Sequence, residues 1–464
     1  MGVDTVEAIS SKLIDAEGFV VDENPVVVVG AGPVGLAAAA EVLERGLQPL
    51  VLESGAEAGS AVREWSHVRL FSQWSELIDP AAARLLERQG WQAPDAATYP
   101  SGADWVERYL RPLAAALGER VRFGSRVVGV ARRGRDRVVD AGRESEPLTV
   151  HVETALGEER ITASAVIDAS GTWGSPNPLG GDGLPAVGER AARERISYQV
   201  PDVSDAQVRA RFAGKRIAVA GSGHSALTAL VAFAGLAEEA PGTEVVWVLR
   251  RGRSGDVFGG GEADQLPERG ALGLRAKQAV DAGRVRTVMG FRTAAVEADG
   301  DGRLVLTSFE GDESEPVDEV VVLTGFRPDL SWLSEIRLGL DPVLQAPTAL
   351  APLIDPNLHS CGTVYPHGAK ELAHPEPGVS VVGMKSYGRA PTFLAMTGYE
   401  QVRSVAAAIA GDTESAERVE LVLPETGVCG GAGLFDEPET EQSGGCCAAP
   451  QQTAELAAPG AAER

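Results

Sequence analysis

Along this chain, unbroken apolar runs alternate with glycine-rich turns and alanine-rich stretches. The first run, Val26-Val27-Val28-Val29, has four β-branched residues and no polar alternation, the pattern of a strand buried on both faces. It enters the turn Gly30-Ala31-Gly32-Pro33-Val34-Gly35 and then an alanine-rich segment that predicts a helix to about Arg45, with Gly46 where the helix would stop. A second apolar run, Pro49 to Leu52, ends on Glu53. This is a βαβ unit with a dinucleotide fingerprint. Gly30 allows the tight turn, Gly32 leaves room for a pyrophosphate, and Gly35 lets helix and strand pack closely. The diphosphate then faces the positive end of the helix. Glu53 can accept hydrogen bonds from a ribose diol and would repel a 2'-phosphate, so this site favours FAD or NAD over NADP.

The pattern then recurs. Arg216 to Ala220 predicts a strand, Gly221-Ser222-Gly223-His224-Ser225-Ala226 a second glycine turn, and Leu227 to Gly235 its helix. The following strand, Glu244 to Leu249, ends on Arg250 and Arg251, with Arg253 close by. Guanidinium groups at that place suit a ribose 2'-phosphate through charge-assisted, bidentate bonds. One cleft selects against the phosphate and the other for it, which is what a protein holding FAD and NADPH together requires.

Other stretches fill in the frame. Trp65 and Arg69 lie in an aromatic and basic segment after the first unit, either a wall beside a flat cofactor ring or an ordinary half-buried loop. Ser101 or Asp104 caps a helix expected over Trp105 to Leu117. Ala165 to Asp168 is a buried strand that ends in small residues and Gly171, where backbone can approach a cofactor; Val320 to Thr324, ending at Gly325, echoes it. Asp256 to Arg269 reads as a mobile Gly-rich loop. Val379 to Gly383 is a last strand, after which Pro391 and Thr392 open a helix whose free N–H groups could face an electron-rich ring edge. The fold class is therefore α/β, with two Rossmann-like domains, the NADPH domain inserted in the FAD domain. The expected boundaries are an N-terminal arm over 1–24, FAD-binding parts over 25–198 and 323–411, the NADPH-binding domain over 199–322, and a flexible tail over 412–464.

A net charge of −24 argues against nucleic acid and anionic membranes as partners. No apolar stretch is long enough to span a bilayer, and the acidic N-terminus has no signal pattern, so a cytoplasmic location is expected. The four cysteines, none in a C-x-x-C pair, all fall late: Cys361, Cys429, Cys446 and Cys447. Cys429, Cys446 and Cys447 lie in the low-complexity tail and could bind a soft ion or shuttle electrons.

Taken together, the two glycine motifs and the two strand-end motifs resemble the flavin-containing monooxygenase-like oxidoreductases over about Pro25 to Gly411. The resemblance implies that Gly30, Gly32, Gly35 and Glu53 hold FAD with Asp168 and Gly383 beside it, and that Gly221, Gly223, Ser225 and Arg250 hold NADPH. One departure is that the Phe-x-Gly-x-x-x-His linker fingerprint of that family is missing between Gly188 and Pro201. More loosely, His359 to Gly368 and Lys385 to Arg389, with the cysteine tail, resemble flavoproteins encoded beside arsenic-resistance genes. The implied activity is an FAD- and NADPH-dependent monooxygenase that oxidises a small soft nucleophile, a thiol or trivalent arsenical, through a flavin peroxide. Two alternatives stand beside it: a thiol, disulfide or metalloid reductase using the tail cysteines, and a metalloid-binding or redox-sensing flavoprotein without turnover. The expected partner is a small molecule, with a soft metalloid as one candidate and a homodimer left open.

Overall fold

The computed structural model describes residues 13–14, 20–21, 24–250, 255–264, 266–358, 367–391 and 393–421. The core begins with β1 (Val26–Val29), α1 (Pro33–Glu44) and β2 (Pro49–Leu52), as the apolar pattern predicts. Further along come β3 (Val121–Arg122), the meander β4 (Arg126–Arg132), β5 (Leu148–Thr154) and β6 (Gly157–Ala163), and β7 (Ala165–Asp168). The second unit holds β8 (Ile196–Ser197), β9 (Arg216–Ala220), α2 (His224–Glu239), β10 (Glu244–Val248), α3 (Pro267–Asp281), β11 (Val285–Val288), the hairpin β12 (Thr293–Ala298) and β13 (Leu304–Ser308), and β14 (Glu319–Val322). The chain then returns to β15 (Val379–Val381) and α4 (Ala395–Ile409).

The strands assemble into two five-stranded parallel sheets, ordered β15-β7-β1-β2-β3 and β8-β14-β9-β10-β11. Each is covered on both faces. Val26 and Val28 enter one apolar cluster while Val27 and Val29 enter another, so the four-valine run is buried from both sides. Ile217 and Val219 divide from Ala218 and Ala220 in the same way. In each sheet the chain order reverses beside the first strand of the unit, between β1 and β7 and between β9 and β14. A crevice opens outside the strand ends at such a switch point.

Two expectations change. Asp256–Arg269 is no open loop: two single turns, Gly255–Phe258 and Gly261–Ala263, lead into α3, which starts at Pro267. A buried ion pair, Arg269 Nη2 to Asp264 Oδ1 at 2.7 Å, pins the segment, which composition alone does not reveal. Pro391 does not open α4 either. The helix is capped at Leu394, and the preceding Phe393 folds back so that its ring lies over Gly398, where only a residue without a side chain leaves room. Beyond α4, the short helix Thr413–Glu417 packs back on it: Ser404 Oγ donates to the Ala416 carbonyl at 2.6 Å and Arg403 Nη1 to that of Ser415 at 2.8 Å. Ser101 caps the helix that begins at Gly102, and Asp104 closes the reciprocal bond to the Ser101 N–H.

Behind α1, Asp79 caps the helix Pro80–Glu87 by accepting from the Ala82 N–H at 2.9 Å. Burial, with the charge of Glu41 adding to it, pushes the Asp79 carboxyl up to about 8. An acid raised in the folded state stabilises the fold below its unfolded pKa of about 3.9 and loses that contribution as pH climbs through the folded value. Asp79→Asn keeps the cap and removes the titration. Its melting temperature should therefore pull ahead of wild type as pH rises from about 5 to about 8. Thermal unfolding across that range checks this, and a constant offset between the two proteins would refute it.

Candidate functional site

At the first switch point, Gly30 has φ +100°, and a side chain there would meet the Ala169 carbonyl at 2.9 Å. A Cβ on Gly35 would lie 1.9 Å from the Gly30 carbonyl oxygen. These two glycines are required by close approach within the fold. Gly32 differs: its backbone is extended and a Cβ there would meet nothing within 4 Å. It caps α1 without a side-chain bond, and Leu36 is the first residue to donate back, to the Gly32 carbonyl at 3.0 Å. The first-turn N–H groups of α1 thus point into open space, the arrangement an anionic diphosphate needs. Glu53 is fixed at the end of β2, accepting from the Ala31 N–H at 2.7 Å on one oxygen and from the Gly55 N–H at 2.6 Å on the other. Each oxygen keeps a lone pair for a ribose hydroxyl.

The second switch point repeats the geometry. Gly221 has φ +128°, and a Cβ there would lie 2.2 Å from the Leu323 carbonyl. Gly223, like Gly32, faces open space and caps α2 with no side-chain bond. His224 and Ser225 open the helix, and Ser222 and Ser225 flank the exposed Gly223. Burial, reinforced by the charge of Arg269, brings the His224 imidazole down to about 4, so the ring is neutral at physiological pH. Phe71, from the aromatic segment after the first unit, meets it edge-on at 5.2 Å. Of that segment, Phe71 is the residue that reaches a glycine turn; Trp65 packs on Gly102, and Arg69 is exposed and bridges Ser101. Arg250 lies exposed just past β10. Arg251, Thr392, Cys361, Cys429, Cys446 and Cys447 lie outside the described residues, and among the described residues no cluster of metal-ligating side chains forms.

Asp168, at the end of β7, is fully buried, and a residue absent from the sequence-based candidates meets it. Lys385 Nζ lies 2.7 Å from Asp168 Oδ2, donates to Ser170 Oγ at 3.0 Å, and sits 4.7 Å from the centroid of the Trp332 ring. Ser170 in turn donates to Asp168 Oδ1 from its Oγ at 2.6 Å and its N–H at 3.1 Å. Gly171 follows with φ +69° and open space on its Cβ side. A second buried network holds the turn after β15. The Gly383 N–H donates to Gln401 Oε1 at 2.7 Å, and Gln401 Nε2 reaches Ser386 Oγ at 2.9 Å and His367 Nε2 at 2.8 Å. Gly383 also lies against Val34 of the first glycine turn, so β1, β7, β15 and α4 converge on one crevice. Ser170 and Lys385 were legible only as polar residues beside strand-end glycines, and Gln401, in the middle of α4, carried no local signal.

Residues 27–356 match the family described as pyridine nucleotide-disulphide oxidoreductase. A ferredoxin–NADP reductase of Cupriavidus necator is 28% identical over 327 residues, covering 69% of this chain and 76% of its own. Among solved structures, the bacillithiol disulfide reductase of Bacillus cereus superposes with a TM-score of 0.60 at 18% identity, covering 84% of this chain and 99% of its own. A flavin-containing monooxygenase from Stenotrophomonas maltophilia gives 0.51 at 22%, covering 83% and 98%.

Proposed function

Since the chain belongs to the pyridine nucleotide-disulphide oxidoreductase family, we propose that it is an FAD- and NADPH-dependent oxidoreductase whose electrons leave the flavin directly for an acceptor arriving from outside. FAD takes the first crevice and NADPH the second. The observation that carries this reading is the repeated switch point, each with a structural glycine and an open one, bordered by Glu53 in the first and Arg250 in the second. Bound flavin supplies the chemistry, accepting a hydride from the nicotinamide and passing two electrons on. The protein's own groups hold and orient. The first turns of α1 and α2 receive the diphosphates, Glu53 takes the ribose diol, and Arg250 with Arg251 takes the 2'-phosphate. Asp168, Ser170 and Lys385 stiffen the floor of the flavin crevice, and Gln401 fixes the Gly383 turn.

The acceptor we propose is oxygen, with a small soft nucleophile, a thiol or trivalent arsenical, as the molecule oxygenated. The chain has no cysteine before Cys361, so neither glycine turn nor either sheet can carry an internal dithiol relay. The overlap with ferredoxin–NADP reductases over about two thirds of the chain favours a second reading, a reductase that passes electrons to an external carrier or, through Cys429, Cys446 and Cys447, to a thiol or metalloid. Adding NADPH to purified protein without oxygen should bleach the flavin band. Admitting air with a thiol or phenylarsenous acid should then consume oxygen in step with NADPH on the first reading. Turnover that continues under nitrogen with an added acceptor would establish the second instead.

A further inference from the structure

The two glycine turns hold their first peptide from opposite ends. In the first unit the Ala31 N–H donates to Glu53 Oε2 at 2.7 Å, so a carboxylate fixes the peptide between Gly30 and Ala31 by its nitrogen. In the second unit Leu249 stands where Glu53 stands. Each follows the second strand of its unit and donates its N–H to the third, Glu53 to the Arg122 carbonyl at 2.9 Å and Leu249 to that of Val288 at 2.8 Å. A leucine side chain accepts no hydrogen bond, and among the described residues the Ser222 N–H, the counterpart of that of Ala31, has no partner. The peptide between Gly221 and Ser222 is held instead by its oxygen. Trp247, fully buried one residue before the end of β10, donates from its indole Nε1 to the Gly221 carbonyl at 2.7 Å. Phe258, from the segment pinned by Asp264 and Arg269, packs on that indole with ring centroids 5.6 Å apart.

A trans peptide is planar, with its C=O and N–H on opposite edges. Tying the Gly221 oxygen to the indole therefore turns the Ser222 N–H the other way, toward the position that the Glu53 carboxylate fills in the first unit. That carboxylate shows what this N–H takes, an anionic oxygen. Among the described residues of the second unit no side chain supplies one to Ser222. A ribose 2'-phosphate would bring it, and Arg250 lies just past the same strand end. We infer that Trp247 is a positioning residue for coenzyme choice: its indole N–H sets the peptide after Gly221 so that the Ser222 N–H meets the 2'-phosphate of NADPH. This rests on the proposed function for NADPH's place at the second turn. It adds to the arginines a backbone donor that charge patterning does not reveal, and it gives a role to the one tryptophan in a strand whose other apolar residues are valines.

Calorimetric titration of the full-length protein carrying FAD, with NADP+ and NAD+ as the probes, tests this without turnover. The two differ only in the 2'-phosphate, so NAD+ reports on the rest of the turn. Trp247→Phe keeps an aromatic ring beneath Gly221 and removes the donor. It should weaken NADP+ by about tenfold or more and NAD+ by less than about threefold, narrowing the preference between them. A merely structural role would weaken both alike, and equal losses would overturn the inference while leaving NADPH at the second turn. The wild-type protein gives a second measurement that no folding defect obscures. In protein labelled with nitrogen-15 serine, the Ser222 amide, identified by the peak lost in Ser222→Ala, should shift downfield on adding 2'-AMP and hold its place with 5'-AMP. An amide that moves equally with both, or with neither, would overturn the inference. Wild-type protein that binds NAD+ as tightly as NADP+ would defeat the NADPH assignment of the proposed function, and this inference with it.

Discussion

Gly32→Val should give a folded protein that purifies without flavin. The residue's backbone is extended (φ −79°, ψ −176°), a conformation valine adopts freely, and nothing lies within 4 Å of the new Cβ. No side-chain cap is lost, so the helix should be little affected beyond the modest preference for glycine over valine at an N-cap. The added side chain instead occupies the space over the first turn of α1 where backbone and diphosphate must meet. FAD affinity should fall by a factor of about a hundred or more, the loss of about 2.8 kcal/mol. Far-UV circular dichroism and the melting temperature of flavin-free protein should match wild type, while absorbance and FAD titration show the loss. Gly35→Ala provides the contrast. Its Cβ would sit 1.9 Å from the Gly30 carbonyl, so that variant should fail in folding before cofactor binding is at issue. Gly32→Val with native flavin content would place the diphosphate elsewhere.

The difference between Gly32 and Gly35 also marks how far the sequence could be read. The run of valines, the glycine spacing and Glu53 were enough to place β1, α1 and β2, because each follows from local sterics and apolar periodicity, whereas the strand orders that create the switch points emerge only in the fold. Distant pairs were beyond such reading. Lys385 meets Asp168 across 217 positions of chain, and no local pattern states that a lysine after a strand-end glycine will turn inward rather than out to solvent. Asp264 and Arg269 are only five residues apart, yet composition made their segment a loop, since burial supplied by α2 and the neighbouring turns decides whether that pair forms. The helix after β15 was placed early because Pro391 suits a first turn, whereas the packing of Phe393 on Gly398 delays the start to Ala395.

Lys385→Met should give a folded but strongly destabilised protein. Both members of its ion pair are buried, with side-chain exposure of 1% for Lys385 and 0% for Asp168. Their attraction offsets a large desolvation cost only while both are present, and removing one partner strands the other. Methionine fills much of the lysine stem's volume, so the loss is electrostatic more than steric. The expected cost is about 3–5 kcal/mol, which at about 2–4 °C per kcal/mol for a domain of this kind lowers the flavin-free melting temperature by about 10 °C. The stranded Asp168 carboxylate would draw water into the floor beneath Ala169, Ser170 and Gly171, and FAD affinity should fall with it. The decisive comparison is the double variant Lys385→Met, Asp168→Asn. Asparagine keeps an oxygen to accept from Ser170 and carries no charge, so most of the lost stability should return. If the double variant melted no higher than the single, the lysine would matter for its packing against Trp332 and not for the charge it meets.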